Sequence, residues 1–318
     1  MKMGTEKNKD YPNIFVISYG RSNNIKTLYY FAKRQYDMDK IHIIIDNEEK
    51  NIKEYRKACE KYGCKMHIFN IDDARLQYDY VYRKNRMRRA AGQARNAVYD
   101  IAEKEGIKQY VVMDDDTTGF QYRENGKYIN CCNIDTVVDS FILVLSFCRK
   151  HHIGIFGLSQ TGDFYGQKFC NNLLRKKVMN TTFVNTDYVY KGERGEMDND
   201  TSQFVEIHNN GLFTGSLWNS VVLKQTVSIK SKGGLTEAYK ELKLLRKALT
   251  TPIQLPSCII ADRQKQNGNR FHHLINYNYL CPKILKIKDK SCDNIQWDTY
   301  DEDVKFTLRR TNLNVIKK

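Results

Sequence analysis

The sequence predicts an α/β protein, with a mostly parallel sheet flanked by helices and a C-terminal extension. Three observations predict it. Short β-rich runs alternate with amphipathic segments through the first half of the chain. Several of those runs end in polar residues, at Ser18, Asp46 and Asp114, where open parallel sheets bind their ligands. The length of 318 residues, 41% of them hydrophobic, suits one large domain with a sizeable core.

The elements follow in order. "NIFVIS" (Asn13–Ser18) reads as a strand, and a helix-like stretch follows from about Asn24 to Gln35. "IHIIID" (Ile41–Asp46) is a second strand. "EKNIKEYRKACEKYG" is a helix that Gly63 stops, and "KMHIFN" is a third strand. "AAGQARNAVYDIAEKEG" is a helix ending at Gly106, and "QYVVMD" is a fourth strand. Asn125-Gly126 inside "QYRENGKYI" signals a β-hairpin. "NIDTVVDSFILVLSFCRKHH" is apolar on more than one face and reads as a buried helix, followed by the strand "IGIFGL". After Thr181 the pattern becomes more β-like and polar. A helix returns at "LTEAYKELKLLRKALTT", which Pro252 should stop. The tail beyond Pro256 shows no strong period. The expected organisation is a domain over 12–250, with a ligand-binding half (12–120) and an acceptor half (121–250), and an extension over 251–318 packed on it.

Composition narrows the function. Only 4 Pro and 18 Gly argue against long disordered linkers. No run approaches the roughly 20 apolar residues of a membrane span, and the N-terminal "MKMGTEKNKD" has no secretory h-region. The 9 Cys form no CxxC pair and read as reduced thiols of a cytoplasmic protein. Lys and Arg total 52 against 37 acidic residues, a net charge of +15. That surplus points to an anionic partner, although basic composition also serves solubility.

"VVMDDDTTGF" (Val111–Phe120) poses the chemical question. Three adjacent carboxylates repel one another, so something must compensate. In extended chain Asp114 and Asp116 face the same way, with Asp115 turned aside. Two convergent carboxylates suit Mg2+ or Mn2+, which would hold a diphosphate. The bland alternative is a solvated turn.

The "GQARNAVYDIA…YVVMDDD" arrangement resembles family 2-type nucleotide-sugar glycosyltransferases of GT-A fold, in which such a strand delivers a DxD motif. A closer resemblance runs through "VISYGRS", "ARNAVYDIA", "VVMDDDTTGF", "GLSQTGDFYG", "MDNDTSQF" and "KGGLTEAY", in that order. It is similar to the TET-associated glycosyltransferases, a family associated with sugar transfer to hydroxymethylated pyrimidines in phage and related DNA. Residues beyond Tyr239 add nothing to the likeness. The resemblance implies a GT-A-like fold and a UDP-hexose donor such as UDP-glucose. It also implies Mn2+ or Mg2+ on Asp114 and Asp116, and hydroxymethylpyrimidine DNA as acceptor. A phage-encoded chain would work in the host cytoplasm.

Individual residues can be read beside it. Gly20 would let the backbone pass close to a nucleotide, and Arg21 could pair with phosphate, or both could form a surface turn. Asp46 could accept bonds from uracil or ribose, or cap the next segment. Arg95 and Asn96 open a helix facing the diphosphate; a salt bridge from Arg95 to Asp72 or Asp73 is the alternative. Arg83, Lys84, Arg86, Arg88 and Arg89 suit a DNA backbone or a solvated basic face. Gly233 and Gly234 could let the chain close over donor phosphates, or form a simple turn. One of His272 and His273 could complete a metal shell, although an ordinary surface or packing role suits such a pair better. In the family an acidic pair at a helix start holds the catalytic base. Here Met197-Asp198 stands where Glu–Asp is usual, so Asp198 takes the active-site role, while Asp200 with Gln203 reads as a capping box. In an inverting reaction Asp198 takes the acceptor proton; in a retaining one it stabilises positive charge on the sugar. Two other readings compete: a GT-A transferase acting on a glycan, lipid or protein, and a catalytically silent nucleic-acid-binding protein.

Overall fold

A computed structural model describes residues 10–77, 91–124, 127–160, 177–189, 193–195, 198–212, 214–225, 244–264 and 270–280. The first strands are β1 (Asn13–Ile17), β2 (Ile41–Asp46), β3 (Lys65–Phe69) and β4 (Gln109–Asp114). Helices α1 (Lys26–Lys33), α2 (Ile52–Tyr62), α3 (Ile71–Gln77) and α4 (Ala91–Lys104) lie between them. Then come β5 (Thr117–Glu124), β6 (Lys127–Cys131), α5 (Ile134–Lys150), β7 (Ile155–Gln160), β8 (Thr182–Asn185), α6 (Asn199–Asn209) and β9 (Thr214–Gln225). The described chain ends with α7 (Leu244–Gln254), β10 (Ile259–Gln264), β11 (Arg270–Ile275) and α8 (Tyr277–Leu280).

Nine strands form one sheet in the order β3-β2-β1-β4-β8-β7-β9-β5-β6. Only β8 and β5 run against the other strands, so the sheet is mostly parallel, as expected. Alternate residues of β1 serve opposite faces. Ile14 and Val16 join a core with Leu28, Phe31, Tyr55 and Phe141, from α1, α2 and α5. Phe15 and Ile17 join another with Val98, Tyr99 and Ala102 of α4. Cover on both faces explains why β2 is an unbroken apolar run apart from His42 and Asp46. His42 is accommodated by bonds to His67 (2.9 Å) and Asn13 (3.1 Å). Burial, with His67 beside it, pulls its pKa down to about 3, so the ring stays neutral.

The register positions the site. Ile17 pairs with Ile44 on one side and with Asp114 on the other. The turn after β1 therefore lies beside the acidic triplet.

The glycine stops are where the sequence put them. Gly63 (φ 70°) and Gly106 (φ 69°) are left-handed. The following amides bond back to Cys59 (3.0 Å) and Ala102 (2.8 Å), closing each helix end. β5 and β6 pair antiparallel up to Glu124–Lys127, and Asn125-Gly126 lies outside the described residues.

Other expectations need correction. α5 buries one broad face and leaves Ile142 37% exposed. Pro252 does not stop α7, which continues to Gln254. Near the end of a helix a proline removes one bond, with few residues left to propagate. α3 was not foreseen, although Asn70 caps it by accepting the Asp72 amide (3.0 Å). The tail without a period contains the antiparallel hairpin β10–β11. Cys258, Ile259 and Leu280 pack there against Phe204 and Val205 of α6. Among the described residues no helix is long and apolar enough to cross a membrane.

Gly63 has open space where a Cβ would stand. Gly63→Ala should therefore cost only backbone strain, about 1 kcal/mol in denaturant unfolding. A cost indistinguishable from zero would mean that the left-handed cap contributes nothing to the fold.

Candidate active site

The acidic triplet is not extended. Asp114 ends β4, and Asp115 and Asp116 form the turn into β5. The expectation that Asp114 and Asp116 alternate along a strand therefore does not hold. The compensation lies elsewhere. Asp115 is 4% exposed, and its carboxylate meets the Arg21 guanidinium and accepts the Ser18 hydroxyl (2.5 Å). The same Arg21 nitrogen lies 3.9 Å from Asp116. Burial raises the Asp115 pKa above its ordinary value, with Arg21 and Ser18 opposing. Arg21 was expected on phosphate; it is engaged by the protein's own acids.

The surroundings fix this pair. The Tyr55 phenol bonds the Ser18 hydroxyl (2.8 Å) and accepts the Arg21 amide (3.0 Å). Gly20 (φ 65°) donates its amide to Glu49 (2.7 Å). Thr27, in the first turn of α1, clamps the acidic turn. Its hydroxyl donates to the Asp114 carbonyl (2.6 Å) and accepts the Thr117 amide (3.0 Å), and its amide donates to the Asp115 carbonyl (3.2 Å).

Asp114 belongs to a second network. Its side chain is 28% exposed and accepts from Arg95 (3.1 Å). Arg95 also lies 3.5 Å from Glu193. The expected alternative partners, Asp72 and Asp73, are not the ones the structure gives. Burial disfavours the Arg95 charge, but Glu193, then Asp114 and Asp200, hold its pKa well above the ordinary range. Glu193 is 2% exposed. Its burial pushes its pKa up to about 7 against the pull of Arg95. Asn96, expected beside the donor, instead exchanges two bonds with the Glu193 backbone (2.9 and 3.1 Å). Gly92 permits the approach, since a Cβ there would stand 2.7 Å from the Asn199 amide. Sequence reasoning missed Glu193; an acid in a polar loop carries no periodic signal. Asp46 sits at the end of β2, where its carboxylate accepts the Glu48 amide (2.9 Å), the capping behaviour the sequence left open.

The acidic helix start departs from expectation. Asp198, not Asp200, occupies the cap position of α6, with a left-handed backbone (φ 57°) and no side-chain cap bond. The Asp200–Gln203 capping box is absent. Asp200 pairs with Lys177 (2.7 Å), and Gln203 donates to the Tyr99 phenol (3.0 Å). The helix starts at Asn199, before Asp200, because the preceding loop is tied back by Asn199 and Ser202 to Arg194 (3.2 and 2.9 Å). Asp198 faces His273 (3.3 Å) instead. His272 meets the His273 carbonyl (2.7 Å). Arg83, Lys84, Arg86, Arg88, Arg89, Gly233 and Gly234 lie outside the described residues.

Among the described residues no group of three or more His, Cys, Asp or Glu side chains could hold a metal alone. The carboxylates of Asp114 and Asp116 are hard oxygen donors, and Mg2+ commonly takes one or two such ligands with waters and phosphates. The chemistry of that donor set fits a divalent cation shared with a diphosphate.

The profile of the TET-Associated Glycosyltransferase family matches residues 12–234. No curated protein sequence matches the chain. Solved structures to which the chain shows some similarity include glucosyl-3-phosphoglycerate synthase from Mycobacterium tuberculosis with Mg2+ and UDP. It is 9% identical, with 83% of this chain and 87% of that chain covered and a TM-score of 0.44. The same enzyme with Mn2+ and UDP-glucose is 9% identical, with 83% and 86% covered and a TM-score of 0.43. Mouse xyloside xylosyltransferase 1 is 12% identical, with 56% and 67% covered and a TM-score of 0.28.

Two predictions follow from the charges. Arg21→Met leaves Asp115 buried and uncompensated, which should cost about 3–5 kcal/mol of stability. Adding Asp115→Asn should recover most of that loss in a denaturant double-mutant cycle, whereas additive losses would contradict the pairing. Glu193 sets a pH dependence. The folded protein keeps this proton up to about pH 7, while an unfolded Glu releases it near its ordinary value of 4.5. The stability it contributes is therefore complete below pH 4.5 and is lost as pH rises through about 7. Glu193→Gln should flatten the fall in unfolding free energy between about pH 5 and pH 8. Equal slopes for the two proteins would contradict it.

Proposed function

The chain belongs to the TET-associated glycosyltransferase family, and on that premise we propose that it moves a sugar from a UDP-hexose to the hydroxyl of a hydroxymethylpyrimidine in DNA. One observation carries the donor reading. Arg21 neutralises Asp115 from within, so Asp114 and Asp116 flank a satisfied pair at the carboxyl ends of parallel strands.

Asp114 and Asp116 would hold Mg2+ or Mn2+, which when bound supplies neutralisation of charge on the leaving diphosphate. Arg95, fixed between Asp114 and Glu193, adds a positive charge whose position is set before substrate arrives. Arg21 supports the site from beneath. Asp46 at the end of β2 would face the nucleoside, and Gly233 and Gly234 keep the donor-phosphate role that the sequence suggests for them. Asp198 takes the acceptor proton. Asp200 suits that task less well, because Lys177 already occupies its carboxylate at 2.7 Å.

The DNA reading is supported by the family and by the net charge of +15. Arg83, Lys84, Arg86, Arg88 and Arg89 would follow the phosphate backbone. A base inside a duplex is out of reach, so the acceptor is flipped out or single-stranded.

The experiment is mass analysis of nucleosides from hydroxymethylated DNA incubated with the protein, Mn2+ and a panel of UDP-sugars. The expected product is a hydroxymethylpyrimidine nucleoside heavier by one hexose. Asp116→Asn should reduce it by at least about a hundredfold, and Asp198→Asn by about 10²–10⁴. Unmodified nucleosides with every donor, alongside donor consumption on a glycan or protein, would overturn the DNA acceptor.

A further inference from the structure

We propose that His273 is a positioning residue for Asp198, delivered by a hairpin outside the segment that matches the family. The inference rests on the reading of Asp198 as proton acceptor.

His273 lies on β11, paired in register with Ala261 of β10, and its ring is buried. Nδ1 lies 3.3 Å from Asp198 Oδ2, and Nε2 lies 3.2 Å from Thr201 Oγ1. The hydrogens on this chain can be assigned from its ends. Lys177 has only donors, and its ammonium meets Thr201 Oγ1 at 3.2 Å. Thr201 accepts from Lys177 and keeps one hydrogen and a second lone pair for His273 Nε2. The Asp198 carboxylate can only accept, so the tautomer that suits it has its hydrogen on Nδ1, which leaves Nε2 to accept from Thr201. His272 holds the ring from outside, with centroids 4.5 Å apart.

The backbone supports the same conclusion. Asp198 caps α6 through its carbonyl, which accepts the Thr201 amide (2.9 Å), while its side chain makes no cap bond. A non-glycine residue at φ 57° is disfavoured and persists where its surroundings hold it. Its carboxylate lies against the imidazole instead of the helix amides. The arrangement is a base with an orienting partner on its far side. Both ring nitrogens are thereby engaged by Asp198 and Thr201, and the ring is directed to these two groups rather than to a metal shell with Asp114.

The test compares three substitutions of His273, one of Asp198 and one spectrum. His273→Ala should lower kcat by about 10–100-fold, since a loosened base is misaligned, while leaving the donor KM unchanged. His273→Asn places an amide donor near the Nδ1 position and should restore most of the turnover. His273→Gln places its donor near Nε2 and should not. Equal rates for the Asn and Gln variants would overturn the proposal. So would an unchanged kcat in His273→Ala where Asp198→Asn lowers it. Independently of activity, 15N spectra of the ring should show the Nδ1–H tautomer; an Nε2–H tautomer refutes the contact. If Asp198→Asn leaves kcat unchanged, the assignment of Asp198 as base fails, and the tautomer still decides the contact with His273.

Discussion

The Arg21 guanidinium against the buried Asp115 carboxylate is the constraint on which the rest of the site depends. Three adjacent acids at the end of a buried strand would repel one another and resist burial. Removing a carboxylate from water without a partner carries a large penalty, and a paired one still needs its remaining lone pairs satisfied. The Ser18 hydroxyl meets that need, and Tyr55 holds Ser18 in place. The parallel register between β1 and β4 brings them to the right place, because Ile17 stands opposite Asp114. The central acid is thereby a structural anion, buried between two neighbours that meet Arg95 and Arg21 respectively.

A second network joins the sheet to the helices on its other side. Arg95 of α4 touches both Asp114 and Glu193. Asn96 and Gly92 hold the Glu193 loop on the same helix, and Asn199 and Ser202 tie that loop to the start of α6. The acidic turn and the acidic helix start are thus two ends of one connected polar structure. Buried charges held by several partners at once fix a geometry that an apolar core would leave free.

Much of the fold was legible because its signals are local. The apolar runs of β2 and β4 match the observed strands residue for residue, and Gly63 and Gly106 end their helices as left-handed caps. The site was legible as a location and less so as a set of roles. Arg21 and Asp115 meet across 94 residues of sequence, a pairing that no local pattern encodes. The alternation argument failed at Asp114–Asp116 because the strand ends there, so its period no longer applies. Asp198 rather than Asp200 stands at the cap because loop contacts from Asn199 and Ser202 decide where α6 begins. The β10–β11 hairpin was invisible because charged and aromatic side chains interrupt its alternation, and its packing partners lie on α6.

The central claim is that Arg21 and Asp115 satisfy each other so that Asp114 and Asp116 can receive a cation and, through it, a nucleoside diphosphate. Calorimetric titration of UDP into the unmodified protein, with Mn2+ and then with excess chelator, tests it most directly. The account predicts that Mn2+ tightens UDP binding by at least about tenfold, or about 1.4 kcal/mol, and that the chelator abolishes the gain. Equal UDP affinity with and without the metal would contradict it.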